Sequence, residues 1–393
     1  MPKSLIEDAL RGAGSEEASG KPPEDARKTD SIDADLERIA NGLNVNIKLV
    51  GCGGAGSNTV SRCTETGLSG VKMLAINTDA KHLLGTRSPA KILIGKRLTK
   101  GLGAGARPEV GERAAMENEA ELRDFLRDSQ IVFVIAGMGG GTGTSSSSFV
   151  ASLAKEMNAL TIGVVTLPFT SEGEVRMENA VRGLNRLADL CDTTIVIPND
   201  TLIQLVPRLP VQAAFKVADE LLVQTVSGLT EMLTHAGLVN VDYADLRTVL
   251  DEGGVSLIGV GESAGSSRDR IAEAMETAIS SPLLGKMDLS DAKGALVRVV
   301  GGPDMSLDEA AAVAQRVSES IHEGGRLIWG CSVEPAMEGR VKVLLIATGA
   351  RSQYVLMRGD TGMVSTQLHE DYRGSLNLPL SVCPDEDLSM FVR

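Results

Sequence analysis

The chain lacks the marks of several large functional classes. Its five cysteines, Cys52, Cys63, Cys191, Cys331 and Cys383, form no C-x-x-C pair and are odd in number. That argues against a disulfide framework and fits a reducing cytosol. His82, His235, His322 and His369 show no metal-ligand spacing, so all four read as structural or surface residues. No segment approaches the length of a membrane-spanning helix, and the N-terminus has no apolar signal core. A soluble cytoplasmic protein with no direct membrane insertion is therefore expected. Positive charge is in deficit: 39 Lys and Arg against 52 Asp and Glu leave a formal net charge of −13. Nucleic acid and anionic membranes need a basic surface, so neither is an expected partner. A nucleotide remains open, because local amides rather than global charge can hold it. Also missing is G-x-x-x-x-G-K-S/T, so the chain is not a P-loop NTPase.

Glycine, by contrast, is placed to do chemistry. Ile131, Val132, Phe133, Val134 and Ile135 read as a strand buried on both faces. The run empties into Gly137-Met138-Gly139-Gly140-Gly141-Thr142-Gly143-Thr144, with five glycines in eight positions. Such a backbone can bring consecutive N–H groups onto a phosphate chain. Ser145 to Ser148 are N-cap candidates for a helix through Phe149 to Met157, whose positive end would face the same anion. Strand, bare loop and helix N-terminus in that order describe a phosphate cradle.

At 393 residues the chain can hold two domains with full cores. Residues 1–43 read as a polar extension with short helices around Leu5 to Leu10 and Ile32 to Ile39. Residues 44–210 alternate strands and helices, with strands at Ile47–Val50, Val71–Ile76, Ile92–Ile94, Ile131–Ala136, Thr161–Thr166 and Thr194–Pro198. This implies a parallel sheet covered on both faces, with ligands beyond the carboxyl ends of its strands. Two more glycine segments fall there: Gly51 to Gly56, preceding a helix from about Ser57, and Gly101 to Gly105. Residues 211–236 form a long helix on which Val211, Phe215, Ala218, Leu222, Val226, Leu229 and Leu233 share one face. Pro210 suits its start and Gly237 its end. Roughly 35 Å long, it would join the first domain to a smaller α/β domain over 237–350. Residues 351–393 are a turn-rich polar tail with an apolar end, Leu388 to Arg393, suited to docking on a partner.

Gly51 to Gly56 also satisfies the G-x-G-x-x-G pattern of dinucleotide-binding domains. An oxidoreductase on that motif would lack an evident catalytic His or Tyr–Lys arrangement and leave the second glycine loop unexplained. Three glycine loops on one sheet edge fit a single nucleotide whose triphosphate is wrapped from several sides. Together, Gly51-Cys52-Gly53-Gly54-Ala55-Gly56-Ser57-Asn58 and Gly137 to Thr144 resemble the tubulin/FtsZ superfamily. Pro168 to Gly173, Ile197-Pro198-Asn199-Asp200 and Gly237 to Asp245 are further matches, in the family's order and spacing. The likeness runs from Ile47 to Tyr354, and the N-terminal extension resembles archaeal members more than bacterial ones.

The resemblance implies a GTP-binding parallel-sheet domain, a long central helix and a smaller α/β domain, in a cell-division GTPase of the FtsZ type. It places Gly53, Gly54, Ala55, Gly56, Ser57 and Asn58 around the diphosphate, and Gly139, Gly140, Gly141, Thr142, Gly143 and Thr144 at the β- and γ-phosphates. Asn77 with Gly103, Ala104 and Gly105 would close over the phosphate end, Mg²⁺ offsetting charge from a site made mainly of phosphates and water. Glu172 and Arg176 would reach the ribose; alternatively they form an exposed helical ion pair. Phe215 and Asp219, one helical turn apart, could stack on guanine and accept from its N1–H and N2–H₂, with Asn199 at the base edge. Equally, Phe215 could be core and Asp219 a solvated charge. In the family, the loop carrying Asn240, Asp242 and Asp245 enters the nucleotide pocket of the next subunit and positions the attacking water. Here that loop lies a full central helix from the glycine segments. The expected partner is thus the protein itself, in head-to-tail filaments that need not close. Both aspartates could otherwise cap the helix Leu246–Leu250.

Two positions depart from the family pattern. Ser145 stands where a glycine is usual, and would be strained if that site needed a positive φ. Ala218 stands where an Asn often precedes the guanine-reading Asp. A nucleotide-holding filament that hydrolyses little is the alternative that Ser145 raises.

Overall fold

The computed structural model describes residues 45–205, 211–234, 239, 241–251, 254–264, 270–284, 289–322 and 324–349. The short helices expected within 1–43, Pro210, Gly237, Asn240 and the tail from Arg351, including Leu388 to Arg393, lie outside those residues.

The first half alternates regularly. It runs β1 (Ile47–Cys52), α1 (Gly53–Glu65), β2 (Val71–Asn77), α2 (Ala80–Gly85), β3 (Ala90–Leu93), α3 (Lys96–Thr99), α4 (Pro108–Glu117) and α5 (Glu119–Leu126). Then come β4 (Ile131–Gly137), α6 (Thr142–Glu156), β5 (Leu160–Leu167), α7 (Glu174–Leu190), β6 (Thr193–Pro198) and α8 (Asn199–Leu205). The six strands lie in the order β3-β2-β1-β4-β5-β6, all parallel. In β4, Ile131, Phe133 and Ile135 enter one apolar cluster while Val132, Val134 and Ala136 enter the other. This is the two-sided burial that a continuous apolar strand requires.

The second half runs α9 (Val211–Thr234), α10 (Tyr243–Leu250), β7 (Gly254–Ala264), α11 (Arg270–Ile279), β8 (Gly294–Gly301), α12 (Leu307–Ser320), β9 (Arg326–Val333) and β10 (Arg340–Thr348). The sheet continues from β6 into β7 through Thr193–Gly254, Thr194–Val255 and Ile195–Ser256, then through β10, β8 and β9. Here the pattern is mixed: β10 is antiparallel to both β7 and β8. The link from β9 to β10 is too short for a crossover between parallel strands. The 24-residue α9, about 36 Å long, buries Ala218, Leu222, Val226 and Leu229. They pack with Leu49, Phe133 and Val164 of the first half and with Leu296, Leu344 and Ile346 of the second. One helix face therefore serves both halves. Phe215 departs from that face, at 43% exposure.

Two helix starts differ from expectation. Helix α1 begins at Gly53, not near Ser57, and α6 begins at Thr142, not near Phe149. At Gly56 of α1 there is no room for a side chain: a Cβ there would lie 2.4 Å from the Ile135 carbonyl oxygen. In α6, Ser145 to Ser148 are buried within the helix and do not cap it. Ser145 Oγ donates to the Gly141 carbonyl at 3.0 Å, and Ser146 Oγ to that of Thr142 at 2.6 Å. Such back-bonding pairs the hydroxyls of Ser145, Ser146 and Ser147 inside the helix, whereas Ser148 Oγ is buried without a partner among the described residues.

Candidate functional site

The carboxyl ends of β1 and β4 deliver two helix N-termini to one place. A Cβ on Gly53, which has φ 71°, would lie 2.7 Å from the Gly143 nitrogen. The first turn of α1 thus touches the first turn of α6. Nothing stands within 4 Å of a Cβ built on Gly103 or Gly140, and only His82 Nε2, at 3.8 Å, on Gly54. Bare backbone facing open space, with two sets of free N–H groups and two helix dipoles, is an anion site. Gly139 makes the turn at φ 95°, where a Cβ would strike the Arg176 carbonyl oxygen.

The third segment is bonded to these. Thr78 Oγ1 lies 2.7 Å from Thr142 Oγ1, and the Gly103 N–H donates to the Thr78 carbonyl at 3.1 Å. A Cβ on Gly141 would meet Ala104 Cβ at 2.8 Å. Asn77 and the Gly103-Ala104-Gly105 turn therefore share one hydrogen-bonded assembly with the α6 loop. Ser57 Oγ, Thr144 Oγ1 and Asn199 Oδ1 are buried without a protein partner. Buried polar atoms are normally satisfied, so these three fit a polar ligand such as a nucleotide. Among the described residues no group of three or more His, Cys, Asp or Glu could hold a metal ion.

One side chain here escaped the sequence reading. His82 is neither a core histidine nor a plain surface one: its Nδ1 lies 3.3 Å from Asn77 Nδ2, and its Nε2 faces Gly54. Its place in the first turn of the helix that Asp79 caps was the available signal.

On the other side of the cradle, Glu172 pairs with Arg176 at 3.0 Å and accepts the Phe169 N–H at 2.8 Å. The Phe169 ring meets that of Phe215 edge to face, 5.3 Å between centroids. The expected ribose and base contacts are thereby neighbours. Asp219 is mostly buried and pairs with Arg62 of α1 at 3.6 Å. Burial pushes its carboxyl up to about 6, with Arg62 pulling the other way. Ala218 is buried in the core rather than turned to a base.

Ser145 is not among the residues with positive φ, so the strain expected for a serine at that position is absent. It replaces a glycine inside a helix, where its hydroxyl is bonded. Ser145→Gly is therefore expected to leave nucleotide turnover within about twofold. Stability should fall by about 0.5–1 kcal/mol, the cost of glycine in a helix. Thermal unfolding beside a phosphate-release assay checks both.

Asp242 and Asp245 do not join the cradle. Asp242 caps α10 by accepting the Asp245 N–H at 2.7 Å, so this helix starts at Tyr243, earlier than Leu246. Tyr243 donates its hydroxyl to the Gln130 carbonyl, just before the first residue of β4. The glycine loop follows the last residue of the same strand. The aspartates and the cradle thus stand at opposite ends of β4, separated by roughly 20 Å. That is shorter than the length of α9, because Tyr243 ties the loop back to the sheet, yet far beyond contact.

Known proteins share this arrangement. The family model described as "Tubulin/FtsZ family, GTPase domain" matches residues 46–207, and "FtsZ family, C-terminal domain" matches 254–351. Cell division protein FtsZ 1 of Pyrococcus abyssi is 48% identical over 357 residues, 91% of this chain and 94% of that protein. Cell division protein FtsZ of Haloferax mediterranei is 46% identical over 93% of this chain and 96% of its own. Among solved structures, an empty FtsZ dimer from M. jannaschii superposes with a TM-score of 0.77 at 44% identity, covering 84% of this chain and 99% of that one. Sheet order, glycine assembly, central helix and these matches agree: the chain belongs to the tubulin/FtsZ family and is of the FtsZ type.

Proposed function

We propose that this protein binds GTP in the cradle, hydrolyses it to GDP and phosphate, and assembles head to tail into filaments that act in cell division. In this reading Gly53 to Asn58 and Gly139 to Thr144 hold the phosphates, while Glu172 and Arg176 lie at the ribose. Asn199, Phe215 and Asp219 face the base, and Asp219 accepts from guanine N1–H and N2–H₂. Mg²⁺ would be held here mainly by the phosphates and water rather than by side chains, and would supply charge neutralisation at the phosphate end. Residues 44–210 are the nucleotide domain, 211–236 the connecting helix and 237–350 the domain bearing the catalytic loop. Leu388 to Arg393 is the segment we assign to a division-site partner in the cytoplasm.

The observation that carries the reading is the placement of Asp242 and Asp245 at the far end of β4 from the phosphate loops. Neither can reach a nucleotide held by its own chain, so Asp242, Asp245 and Asn240 act on the water in the next subunit's site. A relative from M. jannaschii described as a dimer supports self-association. The low-hydrolysis alternative rested on strain at Ser145, and the helical Ser145 lends it no support. An isolated subunit should bind GTP and hydrolyse it slowly. Phosphate release per subunit should therefore rise with protein concentration and level off once filaments form. A specific activity independent of concentration, from dilute monomer to filament, would overturn the shared site.

A further inference from the structure

Among the described residues His82 is the one imidazole at the cradle, and its hydrogen bonds determine which nitrogen carries the proton. The Asp79 N–H donates to Asn77 Oδ1 at 3.2 Å, which turns Asn77 Nδ2 toward His82. An amide NH₂ facing Nδ1 at 3.3 Å needs an acceptor there, so Nδ1 is unprotonated. In a neutral ring the proton then sits on Nε2. The backbone around the ring is held from two sides. The His82 N–H donates to Asp79 Oδ1 at 3.0 Å, and Thr86 Oγ1 donates to the His82 carbonyl at 3.0 Å.

Nε2–H has no protein acceptor among the described residues. It stands beside Gly54, whose Cβ position is open apart from His82 itself. The cradle is otherwise built of backbone amides and neutral hydroxyls such as those of Ser57 and Thr144, and the chain has no P-loop lysine to meet the phosphates. We propose that His82, protonated on Nε2 through its bond from Asn77, donates a hydrogen bond to a phosphate oxygen of the diphosphate bound over Gly54. This rests on the reading of the cradle as a nucleotide site and adds a side-chain donor to it. His82 serves phosphate affinity and not base choice, so its contribution is the same for any nucleoside diphosphate.

The test compares GDP with guanosine, by calorimetry, on the full chain and on His82→Ala, His82→Phe and His82→Gln. Losing a hydrogen bond to a charged acceptor should weaken GDP binding on the order of tenfold in the Ala and Phe variants. Guanosine binding should not change. Phe keeps the ring's bulk, so its loss cannot be assigned to packing, and Gln restores a donor and most of the affinity. Long-range ¹H–¹⁵N spectra of the wild type should show the Nε2–H tautomer, with the Nε2 signal moving on GDP addition. Ala and Phe variants that bind GDP as tightly as wild type, or an Nδ1–H tautomer, would overturn the proposal alone. So would an equal loss for guanosine and GDP. Wild-type protein that fails to bind GDP would overturn the nucleotide reading, and this proposal with it.

Discussion

An equimolar mixture of Asp245→Ala and Thr142→Arg protein should release phosphate well above the sum of the two variants measured alone. Asp245 is exposed in the first turn of α10, and only its backbone N–H is bonded to Asp242. Asp245→Ala therefore keeps the helix cap, binds GTP and assembles, but loses a group that orients the attacking water. Such groups typically contribute about 10²–10⁴-fold. Asp242→Ala would be a poorer choice, because it also removes the cap, at a cost of about 1 kcal/mol. Thr142 lies at the meeting of the two loops, its hydroxyl 2.7 Å from that of Thr78. An arginine there fills the phosphate space and should abolish GTP binding. Its own Asp242 and Asp245 stay intact and can serve GTP held by the Asp245 variant. Under random co-assembly roughly a quarter of the interfaces pair a bound nucleotide with an intact loop, so about that share of activity should return. Activity no higher than the sum, under conditions where the two co-assemble, would rule out the shared site.

Guanine recognition should fail in acid, through Asp219. To accept from N1–H and N2–H₂ its carboxyl must be ionised, and in the ligand-free protein burial holds that group up at about 6. Above that pH the carboxylate is ready; below it, binding must first expel a proton. Affinity for GDP relative to ADP should therefore be constant above pH 7. It should fall by up to about tenfold for each unit below 6. The ratio is the informative quantity, because titration of the phosphates affects both nucleotides alike. Asp219→Asn should lower GDP affinity by about ten- to a hundredfold and flatten the ratio's pH dependence. Calorimetry from pH 5 to 8 reads both. A wild-type ratio that stays level down to pH 5 would remove Asp219 from the base pocket.

Much of this was legible in the amino-acid order alone. The unbroken apolar run Ile131 to Ile135 could only be a strand covered on both sides. The period of Ala218, Leu222, Val226 and Leu229 likewise required one long buried helix face. Glycines at 53, 54, 56, 139, 140, 141 and 143 marked the cradle, because backbone without side chains is itself the chemistry. These signals are local: each depends on neighbours within a turn or a strand. Tertiary structure decided what depends on residues far apart in the chain. Ser145 is a local exception: it looked strained only because the helix start at Thr142, which sets its hydroxyl on the Gly141 carbonyl one turn back, was not expected. His82 looked ordinary until the return of the chain through Asn77 and Gly54 set its tautomer and its open side. The mixed order of β7, β10, β8 and β9 rests on pairings between strands far apart in the chain, such as β10 with β7 and with β8. The separation of Asp242 and Asp245 from the phosphate loops was already expected from the length of the central helix. What the tertiary structure added is its course, along β4 from the end where Tyr243 bonds Gln130 to the end that carries the glycine loop.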